Sequence, residues 1–238
     1  NGQKVWISRI QHSDLMILLA RTTPLSEVKK KSQGLSIFMV DLKEAVGNGM
    51  EVRPIANMPG HETNELFFDN LEIPVENLIA GEGRGFEIAQ GRLGPGRIHH
   101  CMRAIGMAEK ALELGLKRGH ERVAFGKPII RLGGNLERVA DARMAIEQAR
   151  LLTLHAAWKI DNLGVKHAMT EISAIKVVVP NMLQNVVDMA LQIHGGAGMC
   201  SDFPLARFAA GARALRLADG PDEVHKGMVS RLELKKYQ

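Results

Sequence analysis

Cysteine and aromatic residues are scarce in this 238-residue chain. Only Cys101 and Cys200 are present, far apart in sequence, so no disulfide framework can be built and a reducing, intracellular compartment is expected. One Tyr and two Trp leave no basic surface interleaved with stacking rings. The net charge of +5 therefore suits an anionic ligand, and nucleic acid is set aside as a partner. No uninterrupted apolar run approaches the roughly 18 residues needed to cross a bilayer, so no membrane span is expected. A Ser-His-Asp order of the esterase kind and a Walker-type loop are both missing. The last residues, Lys235 to Gln238, carry no peroxisomal or retention tag. There is no initiating Met: Asn1-Gly2, a hairpin-turn signal, leads at once into strand-like sequence, and the chain is expected to be a fragment.

A hydrophobic content of 45% is enough for a sizeable core in one large domain or two modest ones. Over the first third, apolar residues fall in short runs at strand spacing, at 5–8, 15–20, 35–40, 50–55 and 66–73, separated by turn-rich breaks. After the glycine run 81–85 the period becomes helical. One stripe holds Ile105, Ala108, Leu112 and Leu116, and a second Leu136, Ala140, Met144, Leu151, Leu154 and Trp158. A third holds Val179, Met182, Val186, Met189 and Ile193, with Pro180 expected to kink that helix or mark its start. Two shorter helices are expected over 204–217 and 221–234, each opened by a proline. The pattern predicts an α+β multidomain chain: a small β-barrel or sandwich over 1–78, a hinge, then an all-α, four-helix bundle over 86–238.

Several segments can carry chemistry. The first short helix ends on one acid followed by glycine, and such a placement can present Asp219 into a cavity where loss of water raises its pKa for proton abstraction. The same Asp-Gly step also fits an ordinary helix end or turn. Gly94-Pro95-Gly96-Arg97 sets a fixed cation beside backbone free of bulk, where a phosphate or thioester can approach, or it breaks one helix and begins the next. His99, His100 and Cys101 are neighbours on a helix, cannot converge on one ion, and are assigned no metal. Arg122 can turn to a pyrophosphate while Phe125 covers an apolar ring, or it is a charge at a helix end. The glycines of 192–196 can cap a helix or clear space for a nucleotide against backbone amides. Trp6 and Ser8 alternate onto one face of the first strand, where they can flank a planar cofactor or pack in the core.

Taken in order, these segments resemble the acyl-CoA dehydrogenase family, with an ending, Ala218 to His225, most like the subgroup of family members 10 and 11. The likeness rests on Asn-Gly-x-Lys-x-Trp-Ile-Ser at the start, then Gly-x-Gly-Arg-Gly-Phe, Gly-Arg-Ile, Glu-Arg-x-x-Phe-Gly-Lys and Gln-Ile-x-Gly-Gly-x-Gly. It implies the family's middle β domain and C-terminal bundle, with the N-terminal helical domain and the first flavin-binding stretch absent. It further implies Trp6, Ser8, Arg122, Phe125, Gln192, Ile193, His194, Gly195, Gly196, Pro221, Asp222 and Glu223 as FAD contacts. Gly94, Pro95, Gly96, Arg97 and Gly220 are implied as acyl-CoA contacts, and Asp219 as the base where the family usually has Glu. The implied reaction is α,β-dehydrogenation of an acyl-CoA to a 2-enoyl-CoA, with electrons passed to an electron-transfer flavoprotein. Because some FAD contacts come from a neighbouring subunit in the family, a homodimer or homotetramer is implied. Mitochondrial or peroxisomal placement is implied in a eukaryote, and cytoplasmic placement in a bacterium. The alternatives are a flavin oxidase like nitroalkane oxidase, whose base is also Asp, and a non-catalytic CoA-binding or assembly module.

Overall fold

The computed structural model describes residues 1–60 and 62–238, which pack as two units, 1–92 and 93–238. In the first unit β1 (Gly2–Ser8), β2 (Leu15–Arg21), β3 (Leu35–Asp41), the single-turn α1 (Leu42–Ala45), β4 (Met50–Pro54), β5 (Thr63–Phe68) and β6 (Leu78–Ile79) form two antiparallel three-stranded sheets. Their orders are β1-β5-β4 and β2-β3-β6. Both sheets contribute to one apolar core, with Met50, Leu66 and Phe68 from the first and Leu18 and Val40 from the second. This is a small sandwich, as the period-2 pattern predicts. The run expected as a strand over 66–73 stops at Phe68, because Asn70 adopts a left-handed φ of 51° and turns the chain. Leu71 and Ile73 then meet the core from a loop.

Two local features of this unit were hidden from a strand-by-strand reading. In β1, Val5 and Trp6 together oppose the single Glu65, a bulge that puts Trp6 at φ 66°. Simple alternation therefore does not set the faces of Trp6 and Ser8, and both are exposed. The glycine run 81–85, expected to be a hinge, is seated on β3. Gly83 N–H donates to Ser36 Oγ at 2.9 Å, and a Cβ on Gly85 would lie 2.8 Å from the Leu35 carbonyl. Gly85 serves close approach of two backbones, while Gly81 and Gly83 supply φ of 98° and 79°.

Helix α2 (Gly85–Glu121) runs unbroken through Pro95, so the break expected as one reading of Gly94-Pro95 does not occur. Glycines at 91, 94 and 96 leave room around the ring that an interior proline ordinarily lacks. It carries the domain boundary inside a helix, at 92/93, where the sequence pattern places it before residue 86. Beyond it stand the hairpin β7 (Val123–Ala124) and β8 (Lys127–Pro128), then α3 (Asn135–Leu163), α4 (Met169–His194), α5 (Leu205–Leu215) and α6 (Asp222–Leu234). The second unit is thus a bundle of five helices among the described residues, two of them short, around a largely buried α4. Pro180 does not begin the helix: it sits within α4 and is itself buried.

The second expected stripe is overturned. Ala142, Ile146, Ala149, Thr153 and Ala156 turn α3 towards the core, while Leu136, Ala140, Met144, Leu151, Leu154 and Trp158 are exposed. Small residues let helices approach closely, and the same economy holds α2 to α4, where a Cβ on Gly115 would sit 3.5 Å from Ala190. Bulk alone misidentified the buried face.

Candidate active site

The C-terminal end of α5 and the N-terminal end of α6 are joined by a tight turn that carries Asp219 and Gly220 at φ 54° and 103°. A left-handed Asp is uncommon, and its persistence requires surroundings that hold it. They are visible here. The Asp219 main-chain carbonyl accepts from Arg97 Nη2 of α2 at 3.3 Å and from His225 Nε2 of α6 at 3.2 Å. The bond fixes the imidazole tautomer, because a carbonyl can only accept and Nε2 must carry the hydrogen. Lys176 of α4, 1% exposed, donates through Nζ to the carbonyls of Leu215 and, at 3.4 Å, Gly220.

The Asp219 carboxylate is neither in open solvent nor sealed against its own backbone. Its Oδ2 lies 3.1 Å from His100 Nε2, with both side chains 30% exposed, and Oδ1 has no partner among the described residues. Burial pulls the His100 pKa below its ordinary 6.5 against the opposing charge of Asp219. One carboxylate oxygen lies beside the imidazole and the other is open. Arg97 is half-buried, its Nε has no partner, and desolvation lowers its pKa although Asp219 opposes this. His225 is 2% exposed, and desolvation holds its pKa below 6.5 despite the Asp219 hydrogen bond. Of the neighbours, His99 is exposed and Cys101 is buried with its thiol on the Ile175 carbonyl, its pKa pushed up to about 12 by desolvation. The three adjacent residues diverge.

The sequence-predicted substrate segment is thus split by role. Arg97 and Gly220 join Asp219, whereas Gly94 and Gly96 are buried helix positions and Pro95 is exposed. Pro221 is half-buried and Glu223 exposed at the start of α6. Asp222, implied as a cofactor contact, is bonded inside the fold through one oxygen, while its buried Oδ1 has no partner. It is 3% exposed and its Oδ2 accepts from Arg216 Nε at 2.8 Å and Asn181 Nδ2 at 3.2 Å. Burial pushes its pKa up, but these two donors and the Arg216 charge outweigh that and hold it below 3.8.

At the far end of α4, Ile193 and His194 turn their side chains inward. Both are buried, Ile193 in the core and His194 on the Ala190 carbonyl with its ring edge-on to Phe203. The Gly195 N–H is taken by the Leu191 and Gln192 carbonyls, so it is closed to a phosphate. Gln192 and Gly196 remain exposed. Phe125 is 93% exposed and, with Gly126, forms the two-residue tip of the β7-β8 hairpin, both at positive φ as a type I′ turn requires. Arg122 stands beside it, exposed and with no side-chain partner among the described residues. A free cation next to a strained, solvent-presented ring is the donor set that a nucleotide cofactor with a pyrophosphate would fit. Trp6, another exposed aromatic at positive φ, has the same character on the β unit.

Sequence reasoning missed Lys176, His100 and His225 as members of the Asp219 cluster. Only a lysine inside an apolar helical run, Ile175-Lys176-Val177, could have flagged the first.

A β sandwich followed by a helical bundle, with an acid on a constrained turn, is the architecture of the acyl-CoA dehydrogenases. The chain matches the acyl-CoA dehydrogenase middle domain over residues 1–71 and the acyl-CoA dehydrogenase C-terminal domain over 83–233, and it belongs to that family. It is 46% identical to acyl-CoA dehydrogenase family member 10 of Mus musculus over 99% of its length, and 45% identical to family member 11 of Gallus gallus over 98%. It spans only 22% and 30% of those relatives. Among solved structures, an assigned acyl-CoA dehydrogenase from Mycobacterium abscessus superposes with a TM-score of 0.92 at 50% identity, covering 100% of this chain and 59% of that one. The butyryl-CoA dehydrogenase of Megasphaera elsdenii gives 0.85 at 30%, covering 98% and 60%. PigA, solved with FAD and proline, gives 0.87 at 25%, covering 99% and 60%.

Proposed function

We propose that this chain supplies the base and part of the cofactor site for FAD-dependent α,β-dehydrogenation of an acyl-CoA thioester to a 2-enoyl-CoA. The observation that carries the reading is the Asp219 carboxylate, with one oxygen beside His100 and the other open, on a turn fixed through its backbone. FAD, when bound, would supply the acceptor for the hydride, one proton with two electrons, that leaves the β-carbon. Arg122 and Phe125 are the residues of the bundle suited to its pyrophosphate and an apolar ring, and Trp6 and Ser8 those of the β unit.

In this reading Asp219 Oδ1 removes the α-proton, while the His100 imidazole, 3.1 Å from Oδ2, flanks the other oxygen. Asp is one methylene shorter than the usual Glu, and a misplacement of about 1 Å can cost on the order of a hundredfold in rate. The turn must therefore be placed accurately. Electrons would pass on to an electron-transfer flavoprotein. The exposed row Leu136, Met144, Leu151, Leu154 and Trp158 along α3 supports self-association as a homodimer or homotetramer, which a sedimentation measurement on holoprotein would check.

The test is Asp219→Asn in FAD-loaded holoprotein. The expected result is loss of acyl-CoA-dependent bleaching of the flavin with FAD still bound; unchanged bleaching overturns the assignment. Rapid reoxidation of reduced holoprotein by oxygen, rather than by an electron-transfer flavoprotein, would show an oxidase instead.

A further inference from the structure

Three basic side chains from three helices converge on the main chain of one turn. Arg97 of α2 and His225 of α6 both donate to the Asp219 carbonyl, and Lys176 of α4 donates to the carbonyls of Leu215 and Gly220. The lysine is the odd member. It is 1% exposed, and its ammonium lies within ion-pair distance of no carboxylate among the described residues. A buried ammonium is costly unless its donors are satisfied, and apolar residues of similar volume commonly replace buried charges without loss of stability. Packing alone does not call for a lysine here.

What it does is geometrical. Leu215 is the last residue of α5, where carbonyls have no intrahelical donor, and Gly220 follows the left-handed Asp219. One ammonium therefore ties the end of α5 to the peptide just beyond the carboxylate. Burial draws the lysine pKa below its ordinary 10.5, with Cys101, Asp219 and Asp222 opposing.

We propose that Lys176 is a positioning residue for Asp219: by fixing both ends of the 215–220 turn it sets how far the short carboxylate reaches. The proposal rests on the reading of Asp219 as the base. It assigns a reason for a lysine inside an otherwise apolar stretch of α4, and it locates the compensation for the missing methylene in the backbone rather than in the side chain. Because the hydrogen bonds of Lys176 go only to main-chain carbonyls, removing it should displace the carboxylate without removing the base itself.

The experiment compares Lys176→Met, which keeps length and loses the donors, with the parent holoprotein. Hydrogen exchange is expected to rise about tenfold or more in a peptide covering 215–222, with the amides of α2 and the rest of α4 unchanged. Flavin reduction by acyl-CoA is expected to slow by about ten- to a hundredfold while the half-saturating substrate concentration moves by less than about threefold. A third arm crosses this change with Asp219→Glu. The longer acid should cost less in the Lys176→Met background than in the parent, because its added methylene spans part of the displacement. Additive effects, or exchange that is unaltered at 215–222, overturn the proposal. If Lys176→Met does not fold, Lys176→Gln, which keeps a donor but shortens the reach, is read in the same three ways. Asp219→Asn separates the two ideas: retained reduction there would remove Asp219 as the base, while the exchange result would still decide whether Lys176 holds the turn.

Discussion

Gly220 lies against His225 so closely that a Cβ built on the glycine would fall 2.9 Å from the imidazole Nε2. The same Nε2 donates to the Asp219 carbonyl at 3.2 Å, and the ring is 2% exposed. One buried imidazole thus shapes both residues of the reactive turn, and a side chain at 220 has to displace the donor that steadies residue 219.

Gly220→Ala combines two penalties, a φ of 103° that L-residues avoid and a contact with a ring that has nowhere to go. The expected loss is about 2–4 kcal/mol in denaturant unfolding, from a left-handed backbone cost plus overpacking. Flavin reduction should fall as well, since moving His225 breaks its bond to the Asp219 peptide. A variant with parental stability and rate would contradict this account of the turn.

Acid should weaken the bundle through its histidines. Desolvation holds the pKa values of His225 and His100 below 6.5 in the folded chain, so over the window beneath about 6.5 the unfolded chain binds more protons. Stability then rises with pH across that window and is lost as pH falls from about 6.5 towards the folded values. Thermal unfolding followed from about pH 7.5 down to 5.5 is expected to show this decline, and His225→Gln should flatten it. A midpoint constant across the range would speak against two buried neutral imidazoles.

The fold was readable where the pattern depends on period alone. The short apolar runs 15–20 and 35–40 located the paired strands β2 and β3, and the change to helical spacing after residue 85 located the bundle. It was misread where size stood in for burial: on α3, bulky Leu151 and Trp158 face solvent while Ala149 and Ala156 pack inside, because close helix contacts favour small side chains. The site was readable at Asp219, Gly220 and Arg97, which are brought together across more than a hundred residues of sequence by α2 and the α5-α6 turn. Lys176 and His225 escaped because their contacts are with carbonyls, and no spacing rule marks a side chain that bonds to backbone. Asp222 and His194 looked like ligand residues in the sequence and are bonded inside the fold.

Asp222 tests that last distinction. Asp222→Ala leaves the Arg216 guanidinium and Asn181 without their shared acceptor and removes an acid from the first turn of α6. Arg216 is 31% exposed and regains some water, so a loss of about 2 kcal/mol is expected rather than the larger figure of a fully buried pair. Asp222→Asn should cost about half as much, because it keeps an acceptor oxygen and loses the charge. FAD content of the folded fraction should be unchanged in both. Loss of FAD at parental stability would show Asp222 to be a cofactor contact.

Phe125 separates stability from binding in the opposite sense. Its side chain is 93% exposed, so it contributes almost nothing to the core, and its φ of 52° is one a glycine adopts freely. Phe125→Gly should therefore leave the FAD-free protein unchanged or more stable by about 1 kcal/mol, the relief of left-handed strain set against the greater entropy of an unfolded glycine. The same change removes the one large apolar surface beside the unpaired Arg122. FAD should then be lost faster on dialysis, with flavin content falling while the melting point without FAD holds or rises. An exposed ring at a strained position is retained only where something else uses it. A Phe125→Gly variant that holds FAD as the parent does would show that the hairpin tip serves another purpose.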